Sequence, residues 1–161
     1  MIVAFQEIVA TPVEADGLSF DAAQVRGAVM REDELYEGCR LNLTASLGAA
    51  RVPLQIDIGF GDAVTPDAAE GDYPTLLSFP APHLRLYPRE TVVAEKFEAM
   101  VSLGMANSRL KDFFDVWLLS EHFPFDGPTL CCALAATFTR RGTSVPADVR
   151  GVAKREQVRN W

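Results

Sequence analysis

The sequence predicts an α+β protein: an antiparallel or mixed sheet in the first half, followed by a small helical bundle. Two observations carry that expectation. Residues 36–60 alternate apolar and polar side chains over two consecutive runs, the period of paired strands. Beyond Pro88 the apolar residues recur at helical spacing, in three segments separated by capping and breaking residues.

The elements follow in order. "IVAFQEIVA" near the start is apolar on one side and reads as a helix. Short strands are expected near Leu18–Phe20 and Val25–Met30. From Tyr36, "YEGCRLNLTASLG" sets Cys39, Leu41, Leu43, Ala45 and Leu47 on one face. Arg40, Asn42, Thr44 and Ser46 share the other. Gly48 begins a turn, and in "RVPLQIDIGF" the residues Val52, Leu54, Ile56, Ile58 and Phe60 are expected to face the core. Two alternating runs joined by a short turn form a hairpin. Pro53 belongs near the start of its strand or on an unpaired side.

Residues 61–82 are rich in Pro, Gly and Asp and read as a loop. "LRLY" is a short strand. "RETVVAEKFEAMVSLGM" is a helix with apolar positions at 92, 93, 97, 100 and 101. "NSRLKDFFDVWLLSEHF" is a second helix, capped by Asn107 or Ser108 and apolar almost all round, hence buried on more than one side. "DGPTLCCALAATFTRRG" is a third, begun by Asp126 and Pro128 and ended by Arg140–Arg141 and Gly142. The expected organisation is an α+β portion over 1–88, a helical subdomain over 89–142 and a polar, loosely ordered tail over 143–161.

Composition narrows the function. The chain has 161 residues, 48% hydrophobic and 23% charged, which suits one globular domain or a core with a small subdomain. Its net charge of -7 argues against clamping duplex DNA, which requires a broad basic face. No apolar run has the roughly 18 residues of a membrane span. The first residues lack the basic region and cleavage site of a signal peptide, so a cytoplasmic protein is expected. Cys39, Cys131 and Cys132 have neither C-x-x-C spacing nor histidine partners, and Cys131 and Cys132 read as small, partly buried residues.

Three places could carry chemistry. Asp57 lies mid-strand on the polar face, before the glycine-bearing "GFGD"; such a carboxylate can hold Mg²⁺ against a phosphate, or simply pair with Arg40 or Arg51. Lys96 shares the apolar side of its helix with Val92, Val93 and Met100. It either snorkels, pairs with Glu95 or Glu98, or neutralises phosphate charge in a cleft. Asp112 and Asp115 are interleaved with Phe113, Phe114 and Trp117. Asp112 needs a cation, and Lys96, Arg109 and Lys111 are the candidates. His83 and His122 have no partner at metal-ligand spacing, and no P-loop or G-x-G-x-x-G is present.

The strings "LQIDIGFGD", "YPRETVVAEKFEAMVSLG" and "SRLKDFFDVWLL" resemble, in this order and spacing, the AbiEii/AbiGii toxin family of nucleotidyltransferases. These are bacterial abortive-infection (phage-defence) and toxin–antitoxin proteins of the DNA polymerase β-like superfamily. The resemblance covers roughly the middle of the chain. It implies a nucleotidyltransferase-like fold and transfer of a nucleotidyl group from an NTP, with Mg²⁺, to an RNA such as a tRNA 3′ end or to a protein. It also implies a cognate antitoxin. Asp57 would match the strand carboxylate near the metal, as ligand or as activator of the attacking hydroxyl. Lys96 would contact nucleotide phosphates, with Arg109 and Lys111 beside it. Asp112 would be the acidic residue of the "R-x-K-D" block, supported by Asp115. The family's Gly-Ser turn and Asp-x-Asp pair are not found in residues 1–53; "GLSFD" at 17–21 has no second Asp two residues on. A truncated member, a split gene product or a degenerate paralogue, inactive alone, is therefore expected.

Overall fold

The computed structural model describes residues 1–31, 37–104 and 107–147. The expected strand start at Tyr36, the helix end at Met105 and the tail from 148 onward lie outside them. The fold class is the expected α+β, with antiparallel sheets and a helical C-terminal half. The chain forms two compact units, Met1–Gly61 and a second beginning at Asp62.

In the first unit, helix α1 (Ile2–Ala10) precedes strands β1 (Leu18–Phe20), β2 (Arg26–Arg31), β3 (Glu37–Leu47) and β4 (Ala50–Gly59). Strand β3 is central. It pairs antiparallel with β4 from Gly38↔Gly59 to Leu47↔Ala50, and with β2 and then β1 on separate stretches. A 3₁₀ turn at Ala22–Gln24 separates β1 from β2, and the Asp21 side chain caps it by accepting from the Ala23 N–H. Leu41, Leu43 and Ala45 are buried, as their alternation predicts. Helix α1 reaches the sheet where Gly27 stands opposite Leu41. A Cβ on Gly27 would come within 2.8 Å of Ile2 Cγ1, so glycine permits that contact.

The apolar face of β4 differs from expectation. Val52, Leu54 and Phe60 are 44%, 37% and 44% exposed, while Ile56 and Ile58 are half-buried. The reason is coverage: α1 is only 9 residues, about 13.5 Å long, and β4 is paired on one side only among the described residues. That edge position also accommodates Pro53, which lies opposite Thr44.

In the second unit, β5 (Ala69–Asp72) and β6 (His83–Leu86) form a small antiparallel pair. Strand β5 lies inside the segment read as loop. "AEGD" has no apolar alternation, and its ladder rests on backbone pairing with β6. Helices α2 (Arg89–Leu103), α3 (Leu110–His122) and α4 (Gly127–Arg141) follow. The buried stripe of α2 is Thr91, Ala94, Glu98, Ala99 and Met100 rather than the expected 92/93/97/100/101 set. Ala94, Ala99 and, from α4, Ala133 are all buried, as small residues allow when helix backbones approach closely. Phe138 packs against Phe97 with ring centroids 5.8 Å apart.

Thr91 is fully buried; its hydroxyl accepts from the Thr65 N–H at 2.9 Å and donates to the Thr65 carbonyl at 2.8 Å. Helix α4 begins and ends as expected: Asp126 accepts from the Thr129 N–H, and Gly142 closes it at φ 65. Helix α3 is less buried than its composition suggests. Asp112 is its one buried residue, while Leu110, Phe114, Trp117 and Leu118 are exposed. Asn107 accepts from the Arg109 N–H, so it caps the turn before the helix. Cys131 and Cys132 are exposed rather than partly buried, and Cys39 is half-buried; all are free thiols. No described helix is long and apolar enough to cross a membrane.

Candidate phosphate-binding site on the helical unit

The opening of α2 sets the geometry. Pro88 starts the helix, and the first turn carries Glu90. Thr91 fastens the helix to Thr65 two turns before Glu98. Lys96 projects from α2 towards α3, where Asp112 Oδ1 lies 3.2 Å and Asp115 Oδ2 2.7 Å from its ammonium. Asp112 and Asp115 are three residues apart and so share a helix face. Asp112 is almost wholly buried, and its other oxygen lies 2.8 Å from Arg109 Nε, an ion pair outside good hydrogen-bond alignment. Burial works against charge on Lys96, but the Asp115 and Asp112 carboxylates outweigh it and raise its pKa. Lys96 is thus a charged clamp between α2 and α3.

A second clamp joins α2 to α4. Glu98 is 3% exposed, Arg141 Nη1 lies 2.8 Å from its Oε2, and the Thr143 hydroxyl bonds its other oxygen. Between the clamps lies a depression of about 170 Å³ lined by Val92, Glu95, Lys96, Ala99, Arg109 and Arg141. Three cations and one carboxylate line it, whereas the buried Asp112 and Glu98 do not. Glu95 meets the Tyr87 hydroxyl at 3.2 Å, and the same hydroxyl lies 3.3 Å from Asp62. Partial burial, then the Asp62 charge, raise the Glu95 pKa. Burial and the Glu95 and Asp62 charges push the Tyr87 phenol well above its ordinary range.

The structure therefore brings Lys96, Arg109, Asp112 and Asp115 together. Lys111 is exposed on α3. Asp57 belongs to the first unit, where Arg40 grips it with two bonds: Nε to Oδ1 at 2.7 Å and Nη2 to Oδ2 at 2.9 Å. Gln55 adds a third at 3.1 Å. The Arg40 hydrogen bond leads in holding the Asp57 carboxyl below its ordinary pKa. Both oxygens are thus committed to protein donors. Among the described residues no group of three or more His, Cys, Asp or Glu side chains is arranged to hold a metal ion. As arranged, the residues do not fit a resident Mg²⁺ at Asp57.

Sequence reasoning missed Glu95, Glu98 and Arg141 as parts of this arrangement. Glu98 could have been found: it lies four residues after Ala94 and seven after Thr91, on one helical stripe. Arg141 carried no such signal, because its partner is 43 residues away.

Comparison with known proteins supplies the family. No curated protein and no solved structure matches the chain. The profile described as "Nucleotidyl transferase AbiEii toxin, Type IV TA system" matches residues 1–160, a wider span than the motif blocks alone. The chain therefore belongs to the AbiEii nucleotidyltransferase toxin family of type IV toxin–antitoxin systems.

Proposed function

We propose that this nucleotidyltransferase-like toxin chain binds the polyphosphate of an NTP in the α2–α3–α4 depression, in the service of nucleotidyl transfer to an RNA or protein acceptor. The observation that carries this is the convergence of Lys96, Arg109 and Arg141 on one opening. Cations from three helices can share the charge of a phosphate chain, and a guanidinium adds paired donors to it. Lys96 is held rigidly by Asp112 and Asp115, so little side-chain entropy remains to be lost on binding. In solution the NTP would bring Mg²⁺, which neutralises phosphate charge and aligns the reacting groups. The 161 residues by themselves are inactive in transfer, since Asp57, their candidate metal ligand, is committed to Arg40 and Gln55. A cognate antitoxin is the protein partner.

The double clamp on Lys96 favours a second reading, in which the lysine is structural and the chain is a non-catalytic module acting through a protein partner. Calorimetric titration of each NTP with Mg²⁺ into wild type and Arg109→Gln separates the two. Arg109 has a 59% exposed side chain, so its replacement tests the opening without emptying a core position. Binding that weakens several-fold in the variant, with each protein held well below its own melting temperature, supports the nucleotide site. Absence of binding to wild type supports the module. Label transferred from NTP to RNA or protein by the purified chain would refute its inactivity.

A further inference from the structure

The depression contains a group that a simple phosphate cradle would omit. Glu95 lies among its cations, and its carboxylate is bound to the Tyr87 hydroxyl. A phenol has one proton to donate, yet Tyr87 stands between two carboxylates, Glu95 at 3.2 Å and Asp62 at 3.3 Å. Donation to one leaves the other facing an oxygen lone pair. The conflict ends when Glu95 itself carries a proton: Glu95 then donates to Tyr87, and Tyr87 donates to Asp62.

We propose that Glu95 is a specificity-determining residue of the depression, a built-in negative charge that penalises free polyphosphate and favours polyphosphate carrying its own neutralising cation. The inference rests on the phosphate-site reading above. Repulsion from a fixed carboxylate grows with ligand charge, so a magnesium complex suffers less than the free polyanion. The groups that face Glu95 are Lys96 on its own helix, Tyr87 at the β6–α2 junction and Asp62 before it. Arg141 from α4 also acts on its charge, and Arg109, just before α3, lines the same opening. Its raised pKa accords with this placement, and lowering the pH relieves the penalty as the carboxyl gains its proton.

The test is calorimetric titration of inorganic tripolyphosphate, alone and as its magnesium complex, into wild type, Glu95→Gln and Lys96→Gln. Glutamine reproduces the protonated state, since its amide can donate to Tyr87 while Tyr87 serves Asp62. The expected result is about tenfold tighter binding of free tripolyphosphate by Glu95→Gln at pH 7.5, the scale of one charge removed near an anion at a half-exposed site. A smaller gain is expected for the magnesium complex, and the gap between wild type and variant should narrow as the pH is lowered and Glu95 gains its proton. Equal affinities of wild type and Glu95→Gln, with binding still lost in Lys96→Gln, would overturn this inference and leave the phosphate site standing. Absence of Lys96-dependent binding in every form would overturn both.

Discussion

Replacing Lys96 by alanine tests the helix clamp. The substitution strips the cation from Asp112, 4% exposed in its side chain, and from Asp115, 25% exposed. Breaking one partner of a fully buried pair costs about 3–5 kcal/mol. Two features reduce that here. Lys96 is itself 21% exposed, so water reaches part of the site. Arg109 Nε also remains 2.8 Å from the second Asp112 oxygen. The expected cost is therefore about 2–3 kcal/mol, most of it the penalty of leaving Asp112 short of a cation. For a chain of this size that corresponds to a melting temperature lowered by roughly 4–12 °C. Urea unfolding of wild type, Lys96→Ala, Asp112→Asn and the double variant measures it. The double variant should recover part of the loss, because the buried charge disappears with its partner. A Lys96→Ala cost below about 0.5 kcal/mol, the level of an ordinary surface substitution, would refute the clamp.

Other expectations follow from the same contacts. Thr91→Val keeps the side-chain shape but strands the Thr65 N–H and carbonyl, and should cost about 1–3 kcal/mol by urea unfolding. Glu98→Ala removes a buried carboxylate from Arg141 and Thr143 and should cost about 2–4 kcal/mol, with Glu98→Gln milder because it still bonds both; thermal melts of the pair check the order. Glu95 has a folded pKa above its ordinary 4.5, so the native state binds its proton more tightly than the unfolded chain. Its contribution to stability is therefore present below 4.5 and declines as pH rises through the folded value. Glu95→Gln should gain stability relative to wild type as pH rises above 4.5, measured as the difference between their melting temperatures.

Much of the fold was legible because it is written in local periodicity. The β3–β4 hairpin follows from alternation between Cys39 and Ile58, and α4 follows from Asp126, Pro128 and Gly142. What escaped was tertiary. The apolar circumference of α3 suggested burial on several sides, yet Phe114 and Trp117 meet in a tilted ring contact at 5.7 Å and remain exposed. Apolar content shows what a helix could bury, whereas burial requires a neighbour on that side. Strand β5 escaped because its pairing with β6 uses backbone groups rather than side-chain alternation. The candidate site was partly legible. A lysine on an apolar helix face and an aspartate amid aromatics each demanded a counter-charge, and the structure pairs them. The Arg141–Glu98 pair links distant segments with no shared period, and Asp57 found Arg40 because the hairpin register sets them opposite each other.

In the proposed function Lys96 both locks α2 to α3 and presents charge to a nucleotide. The most direct measurement is titration of NTP with Mg²⁺ into wild type and Lys96→Gln, each held well below its own melting temperature. Wild type should bind, and a variant that is still folded should not. Undiminished binding by folded Lys96→Gln, or no binding by wild type, would contradict that role.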